Sequence, residues 1–166
     1  MNLSPAPIIF VVWAALIAVF DCRRRRIPNS LVVAGLAMAL GCALVQSGPF
    51  GISAGQSAVG GLVGLAALLP FFALGVMGSA DVKVFAVLGT WCGMRALPGL
   101  WIAASLAAGV HALWLVMSSG TPLAAIGRQA GPTFEVAGKR GAPYAAFMTL
   151  AALGWLAVQS FAGRVR

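Results

Sequence analysis

Charged side chains are scarce in this chain, and acidic side chains are the scarcest. Only 8% of its 166 residues are charged, with eleven Lys and Arg against three acids, while 61% are hydrophobic. Soluble domains carry about 25% charged residues, so a soluble domain of this composition would leave much apolar surface in contact with water. The composition therefore predicts an all-α protein that crosses the membrane several times, because a bilayer solvates apolar side chains and helices satisfy their own backbone polar groups.

Metal-ligating residues are also few. The chain has one histidine, His111, and three cysteines that form no C-x-x-C pair: Cys22, Cys42 and Cys92. This spacing supports neither a zinc site nor a disulfide framework, and no metal or cofactor is expected. His111 falls inside a predicted span, where an ionisable residue is a functional hypothesis by default. A neutral histidine that bonds across helices is the simpler interpretation.

No basic residue precedes the first apolar segment, which argues against a cleaved signal peptide. The first positive charges follow that segment instead, at Arg23–Arg26. The other basic residues lie mostly in short loops between apolar segments, which is the positive-inside pattern of membrane proteins, so no nucleic-acid partner is expected. The excess of basic residues on the predicted cytoplasmic side favours six spans with both termini in the periplasm.

Six apolar segments predict about six transmembrane helices in a single domain over residues 1–166, with no separate soluble domain. Their approximate bounds are Ile8–Phe20, Ser30–Gln46, Ser57–Met77, Val82–Ala96, Gly99–Met117 and Ala142–Phe161. The fourth segment is short for a hydrocarbon core about 30 Å thick. Gly60 and Gly64 in the third segment form a small-xxx-small face that favours close helix packing.

The only two aspartates lie at the same predicted membrane depth. Asp21 closes the first span and Asp81 opens the fourth, both at the cytoplasmic end. Each has a simpler interpretation, since Asp21 can pair with the neighbouring arginines and Asp81 can be favoured by the dipole at a helix N-terminus. Their common depth, in a chain that otherwise avoids acids, favours a carboxylate pair that shares one proton.

The surroundings of the two aspartates predict different roles for them. The neighbouring arginines favour the charged form of Asp21, which makes it the expected base. The apolar helix after Asp81 favours the neutral form of that carboxyl, although Lys83 opposes this effect, and Asp81 is therefore the expected acid. Lys83 itself is expected to extend towards the cytoplasmic surface.

Two motifs surround the aspartates. The first reads D-x-R-x-x-x-I-P-N, which begins at Asp21 and ends in Ile27, Pro28 and Asn29. The second reads G-x-A-D-V-K and consists of Gly78, Ser79, Ala80, Asp81, Val82 and Lys83. Together they resemble the motifs of the type IV prepilin peptidase family, membrane aspartic proteases of the GxGD type, and in particular the short CpaA/TadV-like form of Tad (Flp) pilus systems. The segment Gly141-Ala142-Pro143-Tyr144-Ala145 is similar to the family's Pro-containing motif before its last helix.

This resemblance implies an aspartic endopeptidase of the bacterial inner membrane with Asp21 and Asp81 as its catalytic pair. Its substrates would be prepilins and pseudopilins, each with a basic leader and an apolar helix, cleaved at the cytoplasmic face. A loop of Gly78, Ser79, Ala80 and Lys83 would support Asp81, and Ile27, Pro28 and Asn29 would form the motif that flanks Asp21. Arg23–Arg26 are expected to contact anionic lipid headgroups. The cysteine-rich insert of the larger members is missing, so no methyltransferase domain is expected.

One position departs from the family's pattern, because Ala80 stands where GxGD has its second glycine. Alanine tolerates a positive φ far less well than glycine, so the sequence leaves open a non-catalytic membrane partner in pilus or secretion assembly. A small transporter is a further alternative. Ion pathways place ionisable groups near the midplane, however, and only His111 lies deep in a predicted span.

Overall fold

The computed structural model describes residues 5–24, 26–119, 135–136, 139–140 and 143–162. In this part of the chain the elements are α1 Ala6–Arg24, α2 Asn29–Leu44, α3 Ala54–Ala73, α4 Ser79–Cys92, α5 Leu97–Ser119, β1 Glu135–Val136, β2 Lys139–Arg140 and α6 Tyr144–Phe161. The two-residue strands pair antiparallel, with Glu135 opposite Arg140. All six predicted helices are confirmed, and the fold is that of an all-α polytopic membrane protein.

Helix length separates the six helices into two groups. Among the described residues, α1, α3, α5 and α6 are long and apolar enough to cross a membrane, whereas α2 is a shorter apolar helix. Large apolar side chains face outward from the long helices, for example Leu62 on α3 and Val110 on α5, which are 67% and 69% exposed. A bilayer, rather than water, is the solvent that such a surface requires.

Helix α4 lies at the centre of the bundle. Most of its residues from Val82 to Cys92 are buried, and it packs against α2, α3, α5 and α6. With 14 residues it extends about 21 Å, which is less than the hydrocarbon thickness of about 30 Å. Because protein rather than lipid surrounds α4, its length does not have to match the bilayer.

Glycines bring α3 and α4 into backbone contact. A Cβ on Gly60 would collide with the carbonyl group of Gly89, and a Cβ on Gly64 would also press on the α4 backbone. The Ser57 hydroxyl donates a 2.7 Å hydrogen bond to the carbonyl oxygen of Thr90, which is buried with it. The predicted close packing of Gly60 and Gly64 is confirmed, and α4 is the partner helix.

The N-terminal half of α1 packs against α2 through Trp13. Its indole N–H donates a 3.0 Å hydrogen bond to the carbonyl oxygen of Leu31, and Gly35 leaves the space that the indole ring fills. Helix α1 also packs against α6, and α4 packs against both α2 and α6. These contacts bring the C-terminal end of α1 next to the N-terminal ends of other helices, where the two sequence motifs lie.

Candidate active site

Asp21 lies in the last turn of α1 and is 8% exposed. Its Oδ2 atom accepts a 2.9 Å hydrogen bond from the backbone N–H of Ala146, 125 residues further along the chain. Ala146 is in the first turn of α6, which begins at Tyr144 after Pro143. The first N–H groups of a helix have no partner within the helix, so the Asp21 carboxyl group provides an acceptor at the start of α6.

The chemical effect of this contact follows from its position. A helix N-terminus carries partial positive charge, and a hydrogen bond from an N–H to a carboxylate is stronger than one to a neutral acceptor. The contact with Ala146 therefore stabilises the carboxylate form of Asp21. It is compatible with the predicted role of Asp21 as the base, which stays a prediction.

Asp81 is the third residue of α4 and is half-buried. Its backbone N–H donates a 3.2 Å hydrogen bond to the carbonyl oxygen of Gly78, the residue that precedes the helix. A Cβ on Gly78 would lie 3.2 Å from Oδ2 of Asp81, so the carboxyl group folds back over the helix N-terminus. Gly78 has φ −74° and ψ 149°, which any residue adopts. Glycine at this position is therefore explained by the space that the Asp81 carboxyl group needs, and not by a backbone conformation that only glycine adopts.

The prediction that Gly78, Ser79, Ala80 and Lys83 lie in a loop is wrong for three of these four residues. Ser79, Ala80 and Lys83 all belong to α4, and only Gly78 precedes the helix. The chain becomes helical earlier than expected because Gly78 accepts the first hydrogen bonds of α4. Ala80 has helical backbone, and no positive φ is found there. Alanine is therefore accommodated at this position without strain.

Tyr144 is the site residue whose role the sequence did not reveal. Its hydroxyl makes a 2.9 Å hydrogen bond with the hydroxyl of Ser105 on α5. Because Tyr144 and Ala146 share the first turn of α6, that turn contacts Asp21 on α1 and Ser105 on α5. The sequence did offer one signal for Tyr144. It is the only tyrosine of the chain, and it directly follows Pro143, which precedes a helix.

A hydrogen bond between two polar side chains joins the two sequence motifs. Lys83 Nζ donates a 2.9 Å hydrogen bond to Oδ1 of Asn29, so Lys83 contacts the first motif. The sequence predicted that Lys83 extends towards the cytoplasmic surface, but it did not predict this partner. Pro28 is the N-cap of α2 and its carbonyl oxygen accepts the N–H of Leu31 at 3.1 Å. Ile27 packs against the apolar core. The I-P-N segment therefore begins α2 and orients Asn29 towards α4.

The remaining candidates are the basic cluster at the end of α1 and His111. Arg23, Arg24 and Arg26 are exposed, and the Arg24 guanidinium lies 5.5 Å from the centre of the Phe20 ring; Arg25 is outside the described residues. His111 on α5 is half-buried, with its ring 5.7 Å from that of Phe147 on α6. Within the described ranges, no three His, Cys, Asp or Glu side chains form a group that could hold a metal ion.

A comparison with known proteins identifies a family. The model of the type IV leader peptidase family matches residues 8–113, which is more than half of the chain. The matched region contains both aspartates, both motifs and Ser105, and it ends before α6. No curated protein and no solved structure gives a significant match. With this match and the helical fold described above, the chain belongs to the type IV leader peptidase family, and membership implies a proteolytic activity.

Proposed function

We propose that this protein is an aspartic endopeptidase of the bacterial inner membrane that removes the basic leader peptide from type IV prepilins of the Flp (Tad) type and from pseudopilins. Asp21 and Asp81 are its catalytic pair. The observation that carries the proposal is the contact between the two motifs. Lys83, two residues after Asp81, binds Asn29 at the end of the motif that Asp21 begins, and α6 packs against both α1 and α4. This contact supports a site in which the two carboxyl groups act on one bond.

The chemistry requires one ionised and one protonated carboxyl group. The ionised group removes a proton from a water molecule while the water oxygen attacks the scissile carbonyl carbon, and the protonated group donates its proton to the carbonyl oxygen. The tetrahedral intermediate then collapses: the carboxyl group that took the water proton gives it to the leaving nitrogen, the C–N bond breaks, and a gem-diol hydroxyl returns a proton to the other carboxylate. Asp21 is the expected base, because its carboxylate form is stabilised by the Ala146 N–H. Asp81 is then the expected acid.

The charge distribution supports a site at the cytoplasmic face. The exposed Arg23, Arg24 and Arg26 lie within five residues after Asp21, and basic residues beside a span favour the cytoplasmic side. Such residues also attract anionic headgroups, by about 1 kcal/mol per charge. Because the leaders of the substrates are themselves basic, these arginines are better suited to lipid contact than to leader binding.

Processing of a prepilin in cells tests the proposal. The chain would be co-expressed with an Flp-type prepilin, and the wild type, Asp21→Asn and Asp81→Asn would be compared at matched membrane levels by gel shift and mass spectrometry. Glu135→Gln is the matched control, because Glu135 is the only other acid in the chain. Cleavage by the wild type and the control, with none by either aspartate variant, is expected. Equal processing by all four would remove both aspartates from the chemistry.

The two alternative functions have less support from the described residues. A non-catalytic assembly role was suggested by Ala80, yet this residue is accommodated in the helical backbone of α4. A transporter was suggested by His111, which lies beside the Phe147 ring in the contact between α5 and α6. Neither observation favours the alternative over a peptidase.

A further inference from the structure

The first turn of α6 is hydrogen-bonded to two other helices. Its Ala146 N–H donates a 2.9 Å hydrogen bond to Oδ2 of Asp21 on α1. Its Tyr144 hydroxyl makes a 2.9 Å hydrogen bond with the hydroxyl of Ser105 on α5, and either hydroxyl can be the donor. Tyr144 and Ala146 are the first and third residues of the helix, so the two bonds anchor the same turn.

Burial makes both bonds costly to lose. Ala146 and Asp21 are 2% and 8% exposed, and Ser105 and Tyr144 are half-buried. A buried polar group that loses its partner pays the cost of its desolvation without compensation. Because the backbone between Tyr144 and Ala146 is helical, a shift of the turn that lengthens one bond also displaces a partner of the other.

Tyr144 is the residue that can fix this turn by a directional contact. The other two residues of the turn are Ala145 and Ala146, which are buried and whose side chains carry no polar group. Apolar packing is non-directional, whereas a hydrogen bond constrains both distance and angle. The bond between Tyr144 and Ser105 therefore determines where along α5 the turn lies, and with it the position of the N–H that Asp21 accepts.

We propose that the hydroxyl pair of Ser105 and Tyr144 positions the carboxyl group of Asp21 through the first turn of α6. Ser105 orients Tyr144, Tyr144 fixes the turn, and the Ala146 N–H of that turn holds Asp21. Ser105 and Tyr144 are positioning residues, because both act through the Ala146 N–H. The effect on the rate rests on the proposed catalytic function of Asp21, whereas the coupling between these residues does not.

Thermal unfolding of the purified full chain in detergent tests this coupling without cleavage. Ser105→Ala and Asp21→Ala each remove one anchor of the turn, and residues that share no partner lose stability additively. Because one turn links the two anchors, the double variant is expected to lower the melting temperature by less than the sum of the single decreases. Ser118→Ala is the matched control on α5, because the Ser118 hydroxyl binds the Trp114 and Leu115 carbonyl oxygens of its own helix. Combined with Asp21→Ala, it is expected to be additive.

Cleavage of an Flp-type prepilin in proteoliposomes tests the consequence for the rate. Ser105→Ala and Tyr144→Phe break the same bond, and each is expected to lower kcat about 3- to 10-fold with KM unchanged, because a small displacement of a catalytic group is costly. The variant with both changes is expected to match the slower single variant. Ser105→Thr retains a hydroxyl and is expected to keep the wild-type rate, as is Ser118→Ala.

Two results would overturn the proposal. One is an additive decrease in melting temperature for Ser105→Ala combined with Asp21→Ala, as in the control pair. The other is a wild-type kcat in both Ser105→Ala and Tyr144→Phe when the enzyme cleaves. If the wild type does not cleave, the proposed function fails, and the melting temperatures still decide whether the hydroxyl pair and Asp21 are coupled.

Discussion

Lys83 Nζ donates a 2.9 Å hydrogen bond to the side-chain oxygen of Asn29, across 54 residues of sequence. Asn29 ends the motif that begins with Asp21, and Lys83 lies two residues after Asp81. The bond therefore joins the start of α2 to the start of α4 and holds together the two segments that carry the aspartates. Both side chains are exposed, so the contact matters for position more than for stability.

Loss of either partner of this bond is expected to lower activity while the fold is retained. Asn29→Ala and Lys83→Met should each destabilise the protein by less than about 1 kcal/mol, as is usual for exposed polar contacts. Each should reduce the rate of cleavage about 3- to 10-fold, because small displacements in a catalytic site are costly. In a double-variant cycle the losses should not multiply. Independent, multiplying losses would mean that the bond does not act as a unit.

Replacing Gly78 by alanine is expected to lower activity, whereas replacing Ala80 by glycine is expected to lower only stability. Gly78→Ala has an allowed backbone but places a Cβ 3.2 Å from Oδ2 of Asp81, so the carboxyl group must shift by a few tenths of an ångström. Activity should fall about 10-fold. Ala80→Gly should give no gain in cleavage and should cost roughly 0.5–1 kcal/mol, because glycine weakens a helix. A large gain in cleavage by Ala80→Gly would instead indicate a degraded site.

Two substitutions of Asp21 separate its structural role from its chemical role. Asp21→Asn keeps an oxygen that can accept the Ala146 N–H, whereas Asp21→Ala leaves this buried donor without that acceptor and should cost about 1–3 kcal/mol of stability. Both variants should be inactive. Thermal unfolding in detergent checks the difference, and equal melting temperatures would show that Asp21 does not stabilise the start of α6.

The contact between α3 and α4 predicts a difference between two glycines of the same helix. Gly60→Ala would force a Cβ into the Gly89 carbonyl group, whereas nothing lies within 4 Å of the corresponding position on Gly55. Gly60→Ala should destabilise the protein by about 1–3 kcal/mol, and Gly55→Ala should be neutral or stabilising because alanine favours a helix. Similar melting temperatures for the two variants would contradict the close packing.

The sequence predicted the helices well because each is an apolar segment bounded by turn residues. It also predicted the two motifs around Asp21 and Asp81, because each is local in sequence, and the bond between Lys83 and Asn29 joins them. The ends of the helices were less accurate: α3 begins three residues before the predicted Ser57, where Ser53 and Gln56 form a capping box. Their reciprocal hydrogen bonds are local but were not recognised.

The long-range contacts were beyond a reading of the sequence. Ser105 and Tyr144 are 39 residues apart, and nothing in either segment indicates that the two helices meet there. The central position of α4 was also not predicted, because an apolar helix enclosed by protein has the same composition as one that faces lipid. Apolar periodicity distinguishes core from water in soluble proteins, but it carries little information when the solvent is itself apolar.

The most direct test of the central claim is whether Asp21 and Asp81 act as one unit. Cleavage of an Flp-type prepilin by the purified chain in proteoliposomes would be measured for Asp21→Asn, Asp81→Asn and the double variant, with Glu135→Gln as control. Each single variant should lose at least about 10²- to 10⁴-fold, the usual contribution of general acid–base catalysis, and the double variant should be no slower, because groups that act together are not additive. A single variant that retains activity within a few-fold of the wild type would contradict the account.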